Sequence, residues 1–116
     1  MPLFRKNKNE PPDPADAQVV ERLRSEGVDL KAPLEIRHYL SFETEGAARR
    51  AALEFGESPE WRVEVRRAAQ GPQWLFLLTH RAVIDLAAIQ KLRTSLSGLA
   101  ARNGGQYDGW EAGAPS

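Results

Sequence analysis

Leu34-Glu35-Ile36-Arg37-His38-Tyr39-Leu40-Ser41-Phe42 sets Leu34, Ile36, His38, Leu40 and Phe42 in alternation with Glu35, Arg37, Tyr39 and Ser41. Successive side chains of an extended chain point to opposite faces, so this period of two predicts a half-buried strand with one face on a core. Directly afterwards the period lengthens. Thr44 can cap a helix in which Ala48, Ala51, Ala52 and Phe55 fall three and four residues apart on one face, and the small alanines let that helix lie close to a sheet. Gly56 and Pro59 stop it, after which Trp61, Val63 and Val65 alternate with Arg62, Glu64 and Arg66 in a second strand. A right-handed crossover makes these two strands parallel, with a gap between them.

The next strand fills the gap. Past a turn at Gln70-Gly71-Pro72, the run Trp74-Leu75-Phe76-Leu77-Leu78 is apolar on both faces, which suits a central strand antiparallel to both neighbours. Asp85 then caps a helix whose Leu86, Ile89, Leu92, Leu96 and Leu99 recur at helical spacing. Upstream, Asp13-Pro14 is a cap followed by a first-turn proline, and Val19, Val20 and Leu23 give a modest stripe as far as Gly27. The predicted fold class is α+β, a ferredoxin-like sandwich of order α-βαββα with helices on an antiparallel sheet and a fourth strand missing or reduced to Gln106–Trp110. If the second and third helices cover one sheet face, the other apolar row of the third strand calls for cover from the N-terminal helix or from another protein.

At 116 residues the chain can bury about two thirds of its unfolded surface without disulfides or metals. Residues 1–14, with Arg5, Lys6, Lys8 and Pro11-Pro12-Asp13-Pro14, read as a disordered basic, proline-rich tail, 15–111 as a single domain and 112–116 as a flexible C-terminus. Cysteine is absent, which excludes a redox pair and a thiolate metal site. Lys+Arg and Asp+Glu both number 16, so broad phosphate neutralisation is not expected, nor is direct nucleic-acid binding, although Trp74 and Phe76 sit on a middle strand. No apolar run nears the roughly 18 to 20 residues of a membrane span, and Met1–Glu10 lacks a secretory apolar core, so a cytoplasmic protein is expected.

Chemistry is hard to assign. His38 and His80 are the only histidines and come from neighbouring strands, but no acid stands beside either at ligand spacing, which points to structural roles and no metal. No serine occupies a nucleophile elbow and no glycine loop has phosphate-cradling spacing, so neither an enzyme nor a cofactor is expected. The concentrated feature is Asn103-Gly104-Gly105-Gln106-Tyr107-Asp108-Gly109-Trp110, directly after the last helix. Its Gly104, Gly105, Tyr107, Asp108, Gly109 and Trp110 read either as a helix cap whose aromatics fold back on the core or as a surface for a partner or ligand. Asp108, without an acidic or basic partner nearby, reads as a turn-forming acid.

Ala100-Ala101-Arg102-Asn103-Gly104-Gly105-Gln106-Tyr107-Asp108-Gly109-Trp110-Glu111, preceded by Ala88-Ile89-Gln90-Lys91-Leu92, resembles the C-terminal signature of the regulator of ribonuclease E activity B family, a helix ending in Gly-Gly-x-Tyr-Asp-Gly-Trp. The similarity extends over about Val28 to Glu111 as a match of pattern. The resemblance implies a ferredoxin-like domain that acts by binding protein, with ribonuclease E as partner and inhibition of RNA degradation in bacteria as the outcome. Better-known members are strongly acidic, whereas this chain is neutral, a difference that bears on association rate and partner choice more than on fold. A different class stays open from the residues themselves: a stand-alone domain that binds a small ligand or forms a homodimer through its sheet face.

Overall fold

In the computed structural model, residues 14–113 are described, and they form α1 (Pro14–Ser25), β1 (Leu34–Phe42), α2 (Glu45–Phe55), β2 (Trp61–Arg67), β3 (Trp74–Ala82), α3 (Leu86–Arg102) and β4 (Gln106–Gly113). The caps read from sequence operate: Thr44 Oγ1 accepts from the Ala47 amide, and Asp85 Oδ1 accepts from Ala87 and Ala88. Pro14 is the first residue of α1, while Asp13 and the rest of the expected N-terminal tail lie outside the described residues.

The sheet has the order β2-β3-β1-β4, and each adjacent pair is antiparallel. β3 therefore occupies the gap that the crossover left between β1 and β2, as its two apolar faces required. All three helices pack on the same sheet face, giving an α+β architecture compatible with a ferredoxin-like sandwich. Leu40, Phe42, Phe76 and Leu78 meet Ala47, Ala48, Ala51, Leu96, Leu99 and Ala100 at one end of that face. At the other end Leu34, Ile36, Trp110 and Ala112 meet Leu23 of α1 and Ile89 of α3.

The structure departs from the sequence pattern in two places. The fourth strand is neither missing nor cut short: β4 spans eight residues and pairs with β1 from Ser41↔Gln106 to Glu35↔Gly113. Ala112 and Gly113, assigned from sequence to the C-terminal tail, are thus strand, and Ala112 is buried. The second concerns α1, which was one candidate to cover the outer row of β3. Leu23 instead packs with the inward residues of β1, so α1 shares the helix face. Among the described residues no helix covers the outer row; Leu77 is buried there between Tyr39 and Glu64 of the flanking strands, with charged neighbours Arg37, Arg62 and Arg66 in the same layer. Long polar side chains can cover apolar surface with their stems while their heads stay in water.

Candidate functional site

The Gly-Gly-x-Tyr-Asp-Gly-Trp segment is first of all a device for reversing the chain from α3 into β4. Gly104 has φ 76°, a left-handed conformation suited to glycine, and the amides of Gly104 and Gly105 donate back to the carbonyls of Ala101 and Ala100 at 3.2 and 2.8 Å. This pair of reverse bonds satisfies the last carbonyls of the helix. Gly105 is required for a different reason. A Cβ there would stand 2.3 Å from the Ser41 carbonyl oxygen and 2.4 Å from the Phe42 ring, so only glycine lets β4 begin this close to β1.

Tyr107 and Trp110 are three residues apart, and in an uninterrupted strand they would face opposite sides of the sheet. Leu40 is paired with Tyr107 and Tyr39 with Gly109, which leaves Asp108 without a partner on β1. This is a bulge, and Gly109, at φ 116°, supplies its backbone conformation. The extra residue resets the phase, so Tyr107 opposite Leu40 and Trp110 opposite His38 both enter the helix-covered side. Asp108 is left exposed, where its Oδ1 accepts from the Gln106 side chain at 3.0 Å.

Trp110 is 7% exposed and donates its indole N–H to Asp16 Oδ1 at 2.8 Å. The same oxygen accepts from Arg93 Nη1 at 2.5 Å. Asp16 is 1% exposed, and its carboxylate ties α1 to both α3 and β4. A buried carboxylate is tolerable only with such donors around it. Asp16 is not singled out from sequence, and Arg93 reads there only as one of several basic side chains, most of them solvated. The available signal was periodicity: Asp16, Val19 and Leu23 share one helical stripe, and Arg93 stands four residues after Ile89 and three before Leu96, so each is a charge set on an apolar face.

His38 lies on the far side of Trp110. Its Nδ1 is 2.9 Å from the Tyr107 hydroxyl, its ring stacks on His80 at 5.7 Å, and His80 in turn lies 4.6 Å from the Trp61 ring. Among the described residues His38 Nε2 has no hydrogen-bond partner. Burial is the main cause that holds His38 down to a pKa of about 3, with His80 and Arg93 adding to it, so the ring is neutral at pH 7. Burial likewise pushes the Tyr107 hydroxyl above its ordinary range. A base with a lowered folded pKa takes up its proton in the unfolded state first. Stability is therefore complete above the ordinary histidine value of 6.5 and falls as pH drops towards 3, at up to about 1.4 kcal/mol per pH unit from this group. Urea unfolding between pH 7 and mild acid should show that slope, and His38→Gln, which does not titrate but can still meet Tyr107, should reduce it to the part left by His80, whose pKa burial also lowers.

Around these residues lies an open cleft of about 720 Å³, lined by Asp16, Val19 and Arg22 of α1, by Arg93, and by Tyr107 to Glu111 of β4. Of the six residues proposed from sequence, Tyr107, Asp108, Gly109 and Trp110 line it, while Gly104 and Gly105 shape the turn that leads to it. On the other sheet face, Tyr39 donates its hydroxyl to Glu111 Oε1 at 2.8 Å, and Arg37 approaches the same oxygen at 3.4 Å. Among the described residues no group of three or more His, Asp or Glu side chains is placed to hold a metal ion, and no helix is long and apolar enough to cross a membrane.

The fold and site define an α+β sandwich whose C-terminal strand is locked to its N-terminal helix through a buried carboxylate, with a polar cleft at the junction. The chain belongs to the family described as Regulator of ribonuclease activity B, which matches residues 13–112 and so takes in α1 and all of β4 but its last residue. A comparison with curated proteins found no match.

Proposed function

We propose that this chain is a non-catalytic cytoplasmic regulator of RNA degradation that acts by binding protein, with ribonuclease E or its assembly as partner. The observation that supports the reading is the extent of the family match, which runs through every helix and strand. The Gly-Gly-x-Tyr-Asp-Gly-Trp segment, which carries the resemblance in sequence, ends in the cleft between α1 and β4. In this reading Tyr107 and Trp110 form the wall of the docking surface and Asp108 its rim, while Gly104, Gly105 and Gly109 set the backbone path. Asp108 is exposed and gives the rim an acidic group that a basic segment of a ribonuclease can meet.

The test adds the purified full chain to a ribonuclease E cleavage assay at low and raised salt. Cleavage should slow in proportion to added protein. Asp108→Lys should weaken the effect while leaving the melting temperature unchanged, because that side chain is in solvent. Raised salt should reduce the inhibition if rim charges guide docking. Unaltered cleavage at saturating protein rules the proposal out.

A further inference from the structure

β2 is an edge strand: β3 lies on one side of it and, among the described residues, no strand lies on the other. Exposed edges are usually blunted by bulges or by charges that repel a second strand. At the opposite edge of the sheet β4 carries its bulge at Asp108. β2 pairs regularly with β3 from Trp61↔His80 to Arg67↔Trp74, and its charges follow a different rule. Arg62, Glu64 and Arg66 point to the open sheet face, so that face reads plus, minus, plus along the strand.

We infer that β2 pairs antiparallel with β2 of a second copy of this chain, across a two-fold axis at Val63, to make one continuous eight-stranded sheet. Only residues of the same face stand opposite one another in such a pair, so the allowed registers are few. With Val63 opposite the partner's Val63, Arg62 faces the partner's Glu64 and Glu64 the partner's Arg62. Both charges beside the axis then meet their opposite. On the helix side Trp61 meets the partner's Val65 and Val65 the partner's Trp61, both apolar. Moving the axis by one residue to Arg62 or Glu64 sets like charges against each other, as at Arg62 against the partner's Arg62 or Glu64 against the partner's Glu64. Cross-strand pairs of like charge are unfavourable.

Two further observations favour a second copy as occupant. The contacts that Glu64 makes within its own strand, to Arg62 at 3.7 Å and Arg66 at 3.9 Å, are long and solvent-exposed, so exchanging them for partner contacts costs little. Beside the strand, Leu53 of α2 is 82% exposed and lines a cleft of about 820 Å³ together with Ala52, Trp61 and Val63. In the two-fold arrangement this cleft lies beside the seam on the helix side, since Trp61 and Val63 belong to both. The interface is isologous, the form expected of a closed dimer.

Sedimentation of the full chain over a wide loading range should show a monomer–dimer equilibrium. Arg62→Glu and Glu64→Arg each put like charges opposite one another at two places and should weaken self-association about tenfold or more, with circular dichroism unchanged. Mixing the two variants restores opposite charges across the seam, because each then meets the other's swapped residue, and dimer should reappear; the double variant R62E/E64R should dimerise alone. A strictly monomeric wild type, or a mixture that stays monomeric, overturns the inference. A dimer indifferent to Arg62→Glu overturns it as well, since the contact would then lie elsewhere on the molecule.

Discussion

Trp110→Ala is expected to lower the unfolding free energy by about 3 to 5 kcal/mol, the range for removing a large aromatic side chain from a packed interior. Trp110 packs with Leu23, Leu34, Ile36, Ile89 and Ala112, which come from α1, β1, α3 and β4, so one truncation loosens four elements together. It also strips one donor from the buried Asp16 carboxylate. Trp110→Phe separates the two effects: it keeps most of the apolar area and removes only the indole N–H, and should cost about 1 to 2 kcal/mol. Urea unfolding followed at the sheet band of the circular dichroism spectrum measures both. An alanine variant as stable as wild type would mean that this indole belongs to the surface, and partner binding would then be its principal role.

The contrast between β1 and β4 shows what a sequence can disclose. Leu34 to Phe42 alternates without a fault, and its inward face, His38 included, is buried throughout. The Thr44 and Asp85 caps, the alanine face of α2 and the doubly apolar β3 were equally legible because each is a local signal at fixed spacing. β4 carries no such alternation. Tyr107 and Trp110 stand out of phase, and only a bulge at Asp108 and Gly109 brings them to one face. A bulge depends on a neighbouring strand, so the run looked too irregular for a full strand. Gly105 is similar, since its need for glycine comes from Ser41 and Phe42, far away along the chain.

The site was half legible for a related reason. Its aromatic and glycine half is compressed into one segment, but its charged half is Asp16 and Arg93, separated from Trp110 by most of the chain or by more than two helix turns and a loop. A carboxylate near a helix start ordinarily complements the helix dipole in solvent. Asp16 looks like that from sequence alone, and only the packing of α1 against Trp110 turns it inward. The place of His38 on the apolar face is legible in the alternation of β1, whereas its contact with Tyr107 depends on the same bulge.

Arg93→Ala should be about as damaging as loss of the tryptophan, at roughly 3 to 5 kcal/mol, since it leaves a buried carboxylate without its cation. Arg93 is 16% exposed at its side chain and Asp16 1%, so little water reaches the pair to compensate. The Arg102–Glu54 contact supplies the control: its 2.5 Å separation is just as short, yet both side chains are well exposed, and removing Arg102 should change stability little. Replacing both buried partners by apolar residues, Asp16→Leu with Arg93→Met, should cost less than Arg93→Ala alone, because no uncompensated charge remains inside. Amide exchange locates the damage. In Arg93→Ala the amides of α1 should lose protection before those of β3, since the carboxylate helps to hold that helix while β3 is bonded on both sides. If the double replacement proves worse than the single one, the ion pair contributes net stability and the desolvation account of Asp16 is wrong.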